Sequence, residues 1–274
     1  MSKNEDTHME ILIVILILLA SLLVRYNRVI TILIKTLKHK PFPQNSQKTE
    51  QLTVDQQNAL SAGLIISEQH MFCWDSLESD ARNSGKKEQR YRLSTAWDVT
   101  SPQSATECLS SFGSVHKLID VAIEIYLNVS KEQWQSCIDD QVPEDYRDII
   151  TIYCSRLDQV SSMLIENKVA EDQDELRQIL LRGSIAWDLG RLVYIARASY
   201  IAGYISKDQA WQSINSVLPT VKENFVNWKE FGQSYMLGRA VYQPDDASLP
   251  GLFDIYTQST TSEESPWLKY PLNN

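Results

Sequence analysis

A chain of 274 residues with 43% hydrophobic, 9% aromatic and 22% charged residues can bury a substantial core and is neither disordered nor fibrous in composition. Its 26 Lys and Arg against 35 Asp and Glu leave a net charge of −9, which excludes nucleic acid as the main partner, because phosphate recognition runs on cationic side chains. With 9 Gly and 9 Pro, low-complexity and repeat-turn architectures are excluded as well.

The charge is uneven. Residues 1–40 hold six bases and three acids, a net of +3, so the other 234 residues carry −12. Ile11 to Val24 is an apolar run broken only by Ser21. At ~1.5 Å per residue it spans about 21 Å, short of the ~30 Å hydrocarbon layer, but Val29 to Ile34 resumes the pattern. Arg25 and Arg28 can snorkel to the head groups. A cleaved secretory signal and a soluble core helix are the alternatives; the acidic start and the lack of a small-residue cleavage site favour a transmembrane helix. Five bases follow the run within sixteen residues and one precedes it. The expectation is therefore a single-pass protein of the bacterial inner membrane, N-terminus outside and C-terminal domain cytoplasmic. Arg25, Arg28, Lys35 and Lys38 recur at spacings of three or seven, so residues 25–38 either lie along the leaflet or continue as a stalk. Membrane lipid, met through residues 11–38, is the expected partner. Residues 1–40 thus read as anchor and basic juxtamembrane helix. Pro41-Phe42-Pro43 breaks the helix, and 41–53 reads as a polar linker.

From residue 54 the chain reads as helix after helix, a mainly α body of one multi-helix globular domain over 54–242. Thr53 with Gln56 forms a capping-box pattern before Leu60, Leu64 and Ile65, and Ser130 with Gln133 and Ser206 with Gln209 repeat it. Ser101-Pro102 supplies an N-cap and a first-turn proline, and Gly113 suits the stop. Val115, Leu118, Ile119, Ala122, Ile123 and Tyr126 follow a three-four spacing. Pro143 opens a long stretch through Ile149, Ile152, Leu157 and Leu164. No segment alternates with period two and no Asn-Gly or Asp-Gly hairpin turn appears. The tail, 243–274, reads as an irregular strap docked by Trp267 and Tyr270.

Cys73, Cys108, Cys137 and Cys154 share no metal-ligand spacing with one another or with histidine, so reduced, buried thiols are expected and no metal. There is no His-Glu-x-x-His and no phosphate loop, and no cofactor is expected. His70 stands three before Cys73, a pair that reads as packing in the absence of a third orienting group.

The most distinctive stretch is 186–242. Trp187, Asp188 and Arg191 share one helical face, Gly203 fits a helix end and Ser206 restarts the next helix. Gly190, Gly232 and Gly238 inside helical patterns cost about 1 kcal/mol each relative to Ala, which makes sense where helices or a ligand approach closely. Here Trp187-Asp188-x-x-Arg191, Gly203-Tyr204-Ile205-Ser206, Ala210-Trp211, Phe225-x-x-Trp228 and Tyr235-x-x-Gly238-Arg239 resemble the signature of the bacterial domain of unknown function 1266 family, that of the YbeU- and YbeR-like proteins. Ala59 to Gly63 and Trp97 to Ser101 resemble its opening segments, and His116 corresponds loosely to a histidine expected after the second. The resemblance covers about 55–242. It implies a helical domain and a bacterial origin, and it carries no established activity.

Trp187, Asp188, Arg191, Tyr204, Trp228, Tyr235 and Arg239 are the candidate cluster. In one reading Asp188 pairs with Arg191 or Arg239 inside a helix junction and the aromatics are core. In the other they line a cleft in which Arg191 and Arg239 hold an anion, Tyr204 and Tyr235 give hydroxyls and Trp228 a stacking wall. Asp188, beside two arginines, should then have a lowered pKa. The expected function is a binding or interaction module anchored to the membrane, with an unidentified protein or small-molecule partner. The alternative is an enzyme acting on an anionic small molecule held by Arg191 and Arg239.

Overall fold

Local chemistry starts most of the helices. In the computed structural model, which describes residues 41–45, 51–78 and 85–273, Thr53 and Gln56 close a reciprocal capping box at the start of α1 (Val54–Ser61), and Ser206 and Gln209 do the same for α10 (Lys207–Asn215). Between these lie α2 (Leu64–Gln69), α3 (Lys86–Trp97), α4 (Pro102–Ser111), α5 (Val115–Asn128), α6 (Trp134–Gln141), α7 (Glu144–Glu166), α8 (Gln173–Arg182) and α9 (Ile185–Ala202). Four more follow: α11 (Leu218–Asn224), α12 (Trp228–Tyr242), α13 (Leu249–Thr261) and α14 (Pro266–Lys269). Ser101 caps α4 with Pro102 in its first turn, and α4 stops before Gly113, whose φ is +112°. Ser130 differs from expectation: it precedes a short 3-10 turn, Lys131–Gln133, and its hydroxyl meets the Gln133 side chain instead of capping. No strand occurs among the described residues.

Phe42–Asn274 form one compact unit. At its centre α9 lies along α12, and α2, α3, α4, α5 and α10 pack around α9. α9 fits that place because most of its surface is apolar or small: Ala186, Val193, Tyr194, Ile195, Ala196, Ala198 and Ala202 are all fully buried. α7 covers α5 and α12 with a stripe at three-four spacing, Ile150, Tyr153, Cys154, Leu157, Val160 and Leu164; Ile152, expected inside, faces out. No disulfide joins the four cysteines: Cys73 and Cys154 are buried, Cys108 and Cys137 partly exposed.

Three expectations need correction. The single-pass, inner-membrane placement is not upheld, because among the described residues no helix is long and apolar enough to cross a membrane. The two longest, α7 and α9, carry charges along their length, among them Arg147, Arg156 and Asp158, and Asp188, Arg191 and Arg197. The apolar run at 11–24 and the basic segment 25–38, with the lipid contacts assigned to them, lie outside the described residues. The stretch 42–45 is no free linker. Phe42 is buried with its amide on Glu68 Oε2 (3.1 Å), the Pro43 carbonyl accepts from the Trp74 amide (3.0 Å), and the Asn45 amide reaches Asp75 (2.9 Å). Nor is 243–274 an irregular strap. Leu249, Leu252, Phe253 and Tyr256 bury one face of α13 against α2 and α12, and prolines in the first turns of α13 and α14 start helices there. Trp267 does dock the end of the chain, its indole N–H donating to the Ser61 carbonyl at 2.8 Å.

Candidate functional site

The site grows out of the close approach of α9 and α12. A Cβ on Gly190 would stand 2.8 Å from the Tyr235 ring and 3.0 Å from the Ala62 carbonyl; one on Gly238 would stand 2.8 Å from Trp187 Cβ. The glycines of these helices stand where neighbouring rings, side-chain roots and carbonyls leave no room for a Cβ.

Where α9 begins it meets the beginning of α5, and each helix caps the other. Ser114, the N-cap of α5, makes no side-chain cap of its own. Asp188, in the first turn of α9, supplies it: Oδ2 accepts from the His116 amide at 3.0 Å and from His116 Nδ1 at 2.8 Å. In return Asp120 of α5 accepts from both the amide and the hydroxyl of Ser184, the N-cap of α9, each at 2.9 Å. Two carboxylates thus satisfy helix-terminal N–H groups and oppose the positive ends of two helix dipoles.

Asp188 is 2% exposed, and such a charge needs compensation. Arg191, three residues on, supplies a hydrogen-bonded ion pair, and its guanidinium lies 3.6 Å from the Trp187 ring centroid and 5.1 Å from that of Phe112. Burial alone would raise the Asp188 carboxyl; the His116 bonds and the Arg191 charge outweigh it and hold it below the usual carboxylate range. Asp120 goes the other way, pushed up by burial and by Asp188, against the opposing pull of the Ser184 bonds and His116.

The structure brings Trp187, Asp188, Arg191 and Tyr235 together. Tyr235 is fully buried, and burial pushes its phenol well above the ordinary range. Arg239, one turn beyond Tyr235, pairs with Asp246 at 2.8 Å and not with Asp188. Tyr204 sits past the far end of α9, where its ring carries the Arg90 guanidinium at 5.2 Å while Arg90 Nε caps the Ala202 carbonyl at 3.0 Å. Trp228, at the start of α12, stacks on Trp267 (5.8 Å, 6°) and donates to the Tyr270 carbonyl at 2.8 Å. A depression of about 210 Å³ lies beside that stack, lined by Val226, Lys229 and Leu272 among others. Tyr204 and Trp228 therefore belong to other corners of the body.

Three residues of consequence were missing from the sequence-derived cluster. His116 and Asp120 are 72 and 64 positions from their partners; the family resemblance touches His116 only loosely, and no local pattern marks Asp120. Arg197 had a signal, a lone cation in the otherwise uncharged 193–202. It is fully buried under the Phe72 ring and donates to Ser67 Oγ (3.0 Å) and the carbonyls of Cys73 (2.5 Å), Ser76 (2.6 Å) and Glu78 (3.2 Å), tying the 73–78 loop to α9. His70 ends α2 and Cys73 lies beyond it in that loop; the imidazole accepts from Arg92 at 2.6 Å. Among the described residues no group of three or more His, Cys, Asp or Glu is placed to hold a metal ion.

Comparison with known proteins agrees with the motif reading from residue 92 onward and extends it past residue 242, while the Ala59 to Gly63 segment lies outside the match. No curated protein and no solved structure matches the chain. The model of the family described as "Protein of unknown function (DUF1266)" matches residues 92–272, which include α14, so the chain belongs to the DUF1266 family.

Proposed function

We propose that the Phe42–Asn274 unit is a binding module that meets its partner through apolar surface, and not an enzyme that grips an anionic small molecule. The observation that carries this is the state of the two arginines. Arg191 is neutralised by Asp188 and Arg239 by Asp246, so a phosphate or carboxylate would have to displace an internal partner from each. At Asp188 that would strand a buried charge, which costs about 3–5 kcal/mol. Apolar groups, by contrast, stand free: Val226 and Leu268 are 68% and 45% exposed around the Trp228–Trp267 depression.

Thermal-shift measurements on the full chain with inorganic phosphate, nucleoside phosphates and dicarboxylates test the anion question. The reading predicts no rise in Tm that depends on Arg191 or Arg239. A rise abolished by Arg239→Gln would refute it. Replacing Val226 and Leu268 together with Asp should leave Tm unchanged and release proteins that co-purify with the wild type; retention of all of them counts against this surface.

A further inference from the structure

Capping α5 requires one bond from Asp188, and the structure has two. Oδ2 satisfies the His116 amide and also fixes the imidazole itself, 2.8 Å from Nδ1. An ionised carboxylate only accepts, so Nδ1 carries the hydrogen of this bond, and the ring's other nitrogen, Nε2, is the one left to accept a proton. Nε2 takes no hydrogen bond from the described residues, and the side chain is 14% exposed above a carboxylate that is 2% exposed. Asp188 and Arg191 cancel each other's charge below the ring, and the half-buried Phe112, four residues before His116, supplies an apolar wall over Arg191. This is a buried carboxylate, an oriented imidazole and a second ring nitrogen without a hydrogen-bond partner among the described residues, in series, the arrangement by which histidine accepts protons.

We propose that His116 Nε2 is the proton acceptor of a hydrolytic site for small uncharged esters, with Asp188 as its positioning residue. Water attacks the ester carbonyl carbon while Nε2 takes one of its protons; the bond to the leaving oxygen breaks as Nε2–H hands that proton to it, which restores the ring, and the carboxylic acid product ionises to solvent. The inference goes beyond the binding reading and can fail without affecting it.

The probe is p-nitrophenyl acetate with the full chain, followed by p-nitrophenolate release. His116→Gln keeps the backbone cap and can still donate a side-chain N–H to Asp188, so it should hold the wild-type Tm while its rate falls by about 10²-fold. Asp188→Asn should give an intermediate rate, and ¹⁵N spectra of the imidazole should lose the single Nδ1–H tautomer seen in the wild type. The proposal is overturned if His116→Gln hydrolyses at the wild-type rate, or if the wild type is no faster than 4-methylimidazole at equal concentration. A wild-type ring that carries its hydrogen on Nε2 overturns it too, without any variant.

Discussion

Substituting Gly238 by Ala sets two physical effects against each other. Inside a helix, Ala is favoured over Gly by about 1 kcal/mol because the unfolded chain loses less entropy on folding. At Gly238, however, the added Cβ would stand 2.8 Å from Trp187 Cβ, 3.1 Å from Ser184 Cβ and 3.2 Å from the Ser184 carbonyl, where ordinary contact begins at 3.4 Å. These atoms are backbone or the roots of side chains, so none can swing aside; α12 and α9 would have to separate. Overpacking of this kind costs about 1–3 kcal/mol, which leaves a net loss of up to about 2 kcal/mol. Gly251, in the first turn of α13, is the control: a Cβ there meets nothing within 4 Å. Urea unfolding followed by far-UV circular dichroism should show Gly238→Ala less stable than wild type and Gly251→Ala equal or more stable. If Gly238→Ala matches or exceeds the wild type, the close-approach account of the α9–α12 pair is wrong.

Arg197→Met should destabilise the fold by about 3 kcal/mol or more, since it strands several buried acceptors at ~1–3 kcal/mol each; the same urea assay measures it. Burial, with the Arg92 charge adding to it, pulls the His70 imidazole from the ordinary 6.5 down to about 3. Between those values the unfolded chain binds a proton that the folded chain refuses, so stability is lost as pH falls through 6.5 towards 3. His70→Asn should flatten Tm against pH across that window, and an unchanged slope would contradict the assignment. For Asp188 the carboxyl is lowered, so its contribution persists above the ordinary carboxylate range and is lost only below it; Asp188→Asn should reduce acid sensitivity at the low end.

The helices were legible where a short stretch of chain contains the whole cause. Thr53 with Gln56, Ser206 with Gln209 and Ser101 before Pro102 cap helices with groups three residues apart, and sequence displays them. Gly190 and Gly238 were legible as close contacts for a similar reason: a cost inside a helix asks for a benefit nearby. The tail is helical where a strap is expected because Leu249, Leu252, Phe253 and Tyr256 carry the three-four spacing of a buried face and Pro is welcome in a first turn. The cluster was half legible. Trp187, Asp188 and Arg191 lie within two turns of one helix, but proximity in sequence says nothing of which end of a long helix a residue occupies, and so Tyr204 and Trp228 were grouped with them. His116 and Asp120 come from α5, and only the packing of α5 on α9 puts them there.

The account rests on a buried Asp188 that fastens α5 to α9 through His116. A double-mutant cycle on Asp188→Ala and His116→Ala, with unfolding free energies of both single variants and the double, tests it most directly. The structure predicts a coupling of about 1.5 kcal/mol or more, the value of a hydrogen bond to a charged group. Losses that simply add to within about 0.3 kcal/mol would show that the two side chains do not hold each other.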